Sequence, residues 1–338
     1  MVRVGINGFG RIGRRIFRLL DNNPDIQVVA INDLADTKTL SHLLKYDSIH
    51  GIFDADISYN ESNILVNGKS ISFSRCNHPQ DIKWNVAKVD FVIECTGKFK
   101  TSQELQYHLD NGASRVILSV PPIDENIKTI VVGVNDNLIT GEELIISNAS
   151  CTTNNAAPMI DVVNKLCGVK QAYITTVHSY TTDQSLHDQP HRDLRRARAA
   201  GQSIVPTTTG AAKALTKIFP KLSNVIGGCG IRVPVANGSL TDITFNVEKE
   251  TSINDINQTF KKASEGYLKN ILSYTEDSIV SIDIVGNPHS CIFDSQMTSV
   301  IGNMVKIIGW YDNETAYSQR IIDLICNLSI KLSLLSNK

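Results

Sequence analysis

Apolar residues recur along this chain in two rhythms, and the change from one to the other divides it. In the first half, short apolar runs alternate with segments of helical spacing. Residues 2–7, 27–32, 89–95, 115–119, 129–134 and 144–146 read as strands, and residues 14–20 and 102–109 read as helices. Strands alternating with helices predict an α/β fold, a doubly wound, mostly parallel sheet of Rossmann type with a ligand over the C-terminal ends of the strands. Residues 48–88 add short strand-like pieces around Asn67-Gly68, the signature of a hairpin that decorates the sheet.

Past residue 150 the rhythm changes. Residues 171–177, 239–247, 278–285, 291–298 and 304–311 read as strands, with helical spacing over 152–166, 211–219 and 254–268. This half predicts an α+β domain, a mostly antiparallel sheet covered by helices on one face. The chain closes on an amphipathic helix over 314–335 with a polar tail.

Composition narrows the class. The 338 residues suit two domains of ~100–200 residues each, and 42% hydrophobic content fills ordinary cores. No apolar run approaches the ~18 residues of a membrane span, and Val2 leads straight into a strand without a basic and apolar leader, so a cytoplasmic protein with no membrane partner is expected. The seven cysteines, at 76, 95, 151, 167, 229, 291 and 326, show no metal-ligand spacing, and their scattered odd count suits a reducing compartment. A net charge of −1 gives no general attraction for nucleic acid.

The candidate chemistry begins at the first turn. Gly8, Gly10 and Gly13 follow the first strand at Gly-x-Gly-x-x-Gly spacing, which lets a backbone approach a pyrophosphate held by a helix N-terminus. The second strand ends at Asp33, twenty residues after Gly13. A carboxylate there binds both ribose hydroxyls of NAD and repels the 2′-phosphate of NADP. Thr96, beside Gly97, and Ser119 end two further strands, where they either face the cofactor or serve as turn residues.

The second centre is Cys151, at the turn between the apolar run 144–146 and the helix that follows. Unpaired N–H groups and the dipole at a helix start lower a thiol's pKa, the setting of a nucleophile. The strand over 171–177 delivers His178, and an imidazole beside a thiol takes its proton, although a lone histidine after a strand is more often structural. The polar stretch 179–202 carries Arg192, Arg195, Arg196 and Arg198, and its length marks a functional loop or an interface. It leads to Thr207, Thr208, Thr209 and Gly210 at the next helix start, a place for an anion such as phosphate.

Together the run Ser147 to Pro158 around Cys151, the opening glycines with Asp33, His178-Ser-Tyr-Thr-Thr-Asp, Pro206-Thr-Thr-Thr-Gly-Ala-Ala-Lys, Ile231-Arg-Val-Pro and Trp310-Tyr-Asp-Asn-Glu-Thr-Ala-Tyr resemble the phosphorylating, glycolytic glyceraldehyde-3-phosphate dehydrogenases, in order and along essentially the whole chain. The resemblance implies an NAD-binding domain over 1–150, a catalytic domain over 151–316 and a helix over 317–338 returning to the first. It implies that Cys151 attacks the aldehyde of glyceraldehyde 3-phosphate, that His178 is the base, and that inorganic phosphate releases an acyl thioester as 1,3-bisphosphoglycerate. It places the substrate's phosphate on Thr181 and Arg232, with Asp183 as an orienting partner, and the attacking phosphate among Ser150, Thr152, Thr209, Gly210 and Arg196, with Arg195 as competitor. Arg11 and Ile12 would carry the pyrophosphate, Asn313 the nicotinamide carboxamide, and Tyr317 would pack beside the ring. A homotetramer is implied.

The chain departs from that pattern at three places: Asn155 stands where many relatives have a second cysteine, Asn77 where an arginine is common, and Gln189-Pro190 where Leu-Pro is usual. Two other functions fit much of the same sequence. Erythrose-4-phosphate dehydrogenase shares most motifs and Pro288-His289-Ser290, but the hydroxyl-rich phosphate segment argues against it. A non-catalytic binding protein on the same fold would need no intact thiol, and no basic patch or aromatic platform supports one.

Overall fold

In a computed structural model that describes residues 1–336, the chain forms two compact units. The first comprises Met1–Ile130, Asn137–Ala149 and the chain from Ser318 on; the second comprises Val131–Asp136 and Ser150–Tyr317. The predicted polar tail, Asn337 and Lys338, lies outside the described residues.

The first unit is built on a nine-stranded sheet in the order Lys128–Thr129, Ile145–Ser147, Arg115–Leu118, Phe91–Glu94, Val2–Asn7, Ile26–Asn32, Lys69–Ser74, Asn63–Val66, Ile57–Tyr59. The first seven strands run parallel and the last two antiparallel. Asn67 and Gly68, at φ of +50° and +75°, make the tight turn between Asn63–Val66 and Lys69–Ser74. The central strands bury almost every side chain, as parallel strands covered on both faces do. The helix predicted to begin at residue 14 begins at Arg11, because Gly10 lies in the extended region and hands over to helical backbone at once, with no side-chain cap. Ser102–Asp110 starts on a capping box between Thr101 and Glu104. Only the head of the predicted 129–134 strand forms: Asn135 Oδ1 takes the Val131 N–H at 2.7 Å and folds the rest into turns.

The second unit holds an eight-stranded sheet in the order Val205–Thr207, Ile226–Val233, Val169–Ser179, Ser239–Val247, Met304–Tyr311, Cys291–Asp294, Leu272–Thr275, with Ser299–Ile301 added to Met304–Tyr311. Ile226–Val233 runs parallel to Val169–Ser179, and Leu272–Thr275 parallel to Cys291–Asp294; the other pairs are antiparallel. Along Ser239–Val247 alternate residues are buried under the long helix Cys151–Cys167, and those between look outward. The predicted strand over 278–285 is absent. Asp283 Oδ2 accepts the Val280 N–H at 2.8 Å and closes a turn there, leaving Val280 and Ile282 exposed, and Leu272–Thr275 supplies the strand instead. Residues 295–297, expected to extend the preceding strand, form a short 3₁₀ turn capped by Asp294. Thr315–Ser336 forms the closing helix, its first N–H groups taken by Asp312.

Candidate active site

Ala149 adopts φ of +58°, a backbone rarely held by a side-chain-bearing residue, and Ser150 then caps the next helix by accepting the Thr153 N–H at 3.1 Å. Cys151 is therefore the first helical residue, with open N–H groups around it. On the sheet, parallel register sets His178 of Val169–Ser179 beside Arg232 of Ile226–Val233. These placements converge: Cys151 Sγ lies 3.4 Å from His178 Nε2, His178 Nδ1 donates to the Ser179 carbonyl at 2.7 Å and so leaves Nε2 as the acceptor, and Arg232 Nη1, beside Nδ1, donates to the same carbonyl at 2.9 Å. His178 is 5% exposed and the cysteine partly open.

Burial dominates the electrostatics. It pushes the Cys151 thiol up, against the expected lowering; the Arg232 charge and the Thr152 N–H pull the other way without prevailing. Burial and then Arg232 push the His178 imidazole down to about 3, so it stands neutral and able to accept a proton. Each group resists charge alone; charge separates when the proton crosses the 3.4 Å between them.

The predicted anion residues divide into groups. Arg196 is held by Asp183, by Thr207 Oγ1 at 2.9 Å and by the Thr208 carbonyl at 3.3 Å, which brings it to the segment carrying Thr209 and Gly210. Arg195 is exposed, and Arg198 pairs with Asp188 at the surface. Thr209 Oγ1 accepts the Ala211 N–H at 3.2 Å, and Gly210 opens Ala211–Ile218 to solvent. Thr181 is half-buried, and its carbonyl accepts the Gln184 N–H. The Ser150 hydroxyl caps its helix, and Thr152 Oγ1 turns inward to Tyr311 at 2.9 Å. Asn313 Oδ1 accepts from Ser179 Oγ at 2.8 Å, Ser239 Oγ and the Gly238 N–H, which leaves its N–H₂ as the group it can offer; Tyr317 is buried.

In the first unit, Gly8 stands at φ of +92°, and a Cβ there would fall 2.8 Å from the Thr96 nitrogen. A Cβ on Gly13 would fall 2.4 Å from the Gly8 carbonyl, so helix and turn touch. Asp33 points back to this turn, accepting the Phe9 N–H at 2.7 Å. The Arg11 guanidinium, in contrast, is engaged by Asp47 at 2.6 and 3.0 Å, so Arg11 and Ile12 face the turn with main-chain N–H groups.

Comparison with known proteins agrees with both halves. Residues 2–102 match the family model for the glyceraldehyde 3-phosphate dehydrogenase NAD-binding domain, and residues 150–313 the model for its C-terminal domain. The chain belongs to the glyceraldehyde-3-phosphate dehydrogenase family. It is 52% identical over 326 residues to glyceraldehyde-3-phosphate dehydrogenase 2 of Streptomyces avermitilis, covering 96% of this chain and 97% of that protein. It is 49% identical over 332 residues to the Geobacillus stearothermophilus protein, covering 98% and 99%, and 49% identical over 328 residues to the Thermotoga maritima one, covering 96% and 98%; both are named glyceraldehyde-3-phosphate dehydrogenase. As a family member with this NAD-binding domain, the chain is an NAD-dependent oxidoreductase.

The turn suits a dinucleotide. A Cβ on Gly10 would meet nothing within 4 Å, and the helix starting at Arg11 has no side-chain cap, which leaves space at a helix N-terminus for a pyrophosphate. Among the described residues no cluster of His, Cys, Asp and Glu could hold a metal ion, and no helix is long and apolar enough to cross a membrane.

Two residues of the site went unread in the sequence. Tyr311, buried, bonds Thr152 and Thr176 at 2.9 Å each and sets its ring edge-on to His178, 5.9 Å between centroids. Ser179 ties His178 to Asn313, its carbonyl 2.7 Å from His178 Nδ1 and its hydroxyl on Asn313. The only signal was the Tyr311 hydroxyl at a strand position that alternation marks as buried; Ser179 is buried against the alternation of its strand.

Proposed function

We propose that this chain catalyses the phosphorylating oxidation of D-glyceraldehyde 3-phosphate to 1,3-bisphosphoglycerate, in glycolysis and gluconeogenesis, with Cys151 as nucleophile and His178 as base. The observation that carries the reading is the 3.4 Å approach of Cys151 Sγ to a neutral, buried His178 Nε2. His178 takes the thiol proton as sulfur adds to the aldehyde carbon, and the imidazolium N–H then donates to the hemithioacetal oxygen. NAD, when bound, supplies the hydride acceptor. Loss of the hemithioacetal O–H proton to His178, together with the C–H hydride to that acceptor, leaves an acyl thioester on Cys151, and an oxygen of inorganic phosphate attacks it, returning the thiolate.

Arg232 serves the substrate's phosphate with Thr181 and Asp183, since its planar fork matches a phosphate edge and burial leaves it few other partners. Arg196, aimed by Asp183 and Thr207, serves the attacking phosphate with Thr209, Gly210 and the start of Cys151–Cys167, including Ser150 and Thr152. Main-chain groups at Gly8, Gly10, Arg11, Ile12 and Gly13 take the pyrophosphate, Asp33 the ribose, and Thr96 and Ser119 line the strand ends. The fixed Asn313 amide takes the carboxamide and Tyr317 flanks the ring. The exposed Tyr173, Met304 and Ile301 on the outward face of the second sheet support a homotetramer, and the reading is of a cytoplasmic enzyme.

Turnover with glyceraldehyde 3-phosphate and with erythrose 4-phosphate, each with and without inorganic phosphate, tests the assignment. NAD reduction with the triose that depends on phosphate is expected; rapid phosphate-independent oxidation of erythrose 4-phosphate would overturn it.

A further inference from the structure

Glu94 is fully buried at the end of the strand Phe91–Glu94, and among the described residues no lysine or arginine pairs with it. Its carboxylate meets four donors instead. Oε1 accepts the Thr96 N–H at 2.8 Å and the Thr96 hydroxyl, and Oε2 accepts the Asn7 amide at 2.5 Å and His108 Nε2 at 3.2 Å. The Glu94 carbonyl accepts both the N–H and the hydroxyl of Ser119, at 3.1 and 2.7 Å.

The state of the buried histidine is fixed by chemistry. His108 Nδ1 lies 2.9 Å from Trp84 Nε1, and an indole N–H only donates, so Nδ1 must be the unprotonated acceptor. His108 is therefore neutral with its proton on Nε2, aimed at Glu94. Three of the four are N–H groups that can only donate, and the Thr96 hydroxyl completes the set, so the Glu94 carboxyl group is held entirely by neutral partners. The other titratable group facing it is the Cys95 thiol, which burial first and the Glu94 charge second push up.

The consequence falls on the cofactor turn. Thr96 is pinned at both backbone and side chain, and the Thr96 nitrogen is the atom against which Gly8 is packed with no room for a Cβ. Asn7, the residue before Gly8, is held from the other side by Asn32 Nδ2 at 2.9 Å. One carboxylate thus sets the relative position of three adjacent strand ends. We propose that Glu94 is a positioning residue for the NAD site, shaping the Gly8 turn through Thr96 and Asn7, and that Trp84, by its bond to His108 Nδ1, keeps the His108 Nε2–H turned to Glu94. The inference rests on NAD binding by this domain and is independent of the aldehyde chemistry.

The test is calorimetric titration of NAD into the full-length protein, its Glu94→Gln variant and its Trp84→Phe variant at about pH 6 and about pH 8, with nitrogen NMR of His108 in each. Binding by the wild type separates failure of this inference from failure of the cofactor reading. A glutamine brings N–H donors against donors, so Glu94→Gln is expected to weaken NAD roughly tenfold or more at both pH values. In the wild type, His108 is expected to carry its proton on Nε2 throughout. In Trp84→Phe the His108 ring loses the bond that orients its Nε2–H toward Glu94, and NAD affinity is expected to fall at both pH values. A proton on Nδ1 in the wild type, or unchanged NAD affinity in Glu94→Gln or in Trp84→Phe, overturns the proposal. If either variant does not fold, the wild-type tautomer decides.

Discussion

At the scale of single residues, the sulfur of Cys151 and the imidazole of His178 are both kept neutral by burial, and the 3.4 Å between them is a path for one proton. An imidazole held near 3 is neutral but a weak base, and a thiol pushed upward ionises poorly unaided, so proton transfer depends on the two charges forming side by side. His178→Asn is therefore expected to lower turnover by ~10²–10⁴ while leaving NAD affinity nearly unchanged, by steady-state rates and cofactor titration; an unchanged rate removes His178 from the mechanism. The same residue links stability to pH. Its folded value, about 3, lies below the ~6.5 of an unfolded histidine, so the unfolded chain binds the extra proton and stability falls as pH drops through that window. Urea midpoints at about pH 5 and about pH 8 should differ less in His178→Asn than in the wild type. Cofactor choice is expected to turn on one residue. Asp33 sits on the glycine turn through the Phe9 N–H, and Asp33→Gly should admit NADP, measured as NADP-dependent turnover; no gain would move the choice elsewhere.

Elements contribute by where their ends fall. Residues around Glu143 show how one side chain closes a connection: its carboxylate takes Lys128 Nζ and the N–H groups of Thr140 and Gly141, which hold its pKa down to about 2 against the cost of burial. That stability is fully present above the unfolded value of ~4.3 and is lost as pH falls toward about 2. Glu143→Gln should be less stable than the wild type at pH 7, by ~1–2 kcal/mol after allowing for solvent at Lys128, and equal to it near pH 2. Denaturation at the two pH values checks this; a constant difference contradicts it.

The strands around the glycine turn were legible because burial on both faces writes continuous apolar runs, and the hairpin because Asn67-Gly68 allows left-handed backbone at both turn positions. The segment 278–285 misled because its alternation is real, yet Asp283 captures the backbone N–H a strand would need. The approach of Cys151 to His178 was legible only as a suspicion, since the strand register that sets His178 beside Arg232 is a long-range fact. Tyr311 and Ser179 were silent for the same reason.

At the scale of the whole molecule, the account needs oxidation and phosphate attack to be separable steps on one sulfur. Similarity to several glyceraldehyde-3-phosphate dehydrogenases over nearly the full chain makes that chemistry the natural expectation. The most direct measurement is mass analysis of acid-quenched protein mixed with glyceraldehyde 3-phosphate and NAD without inorganic phosphate. The account predicts a burst of NADH close to one per chain and a phosphoglyceroyl adduct on Cys151, which vanishes when phosphate is added and never forms in Cys151→Ser. Steady turnover without phosphate and without an adduct, or an adduct on another cysteine, would contradict it.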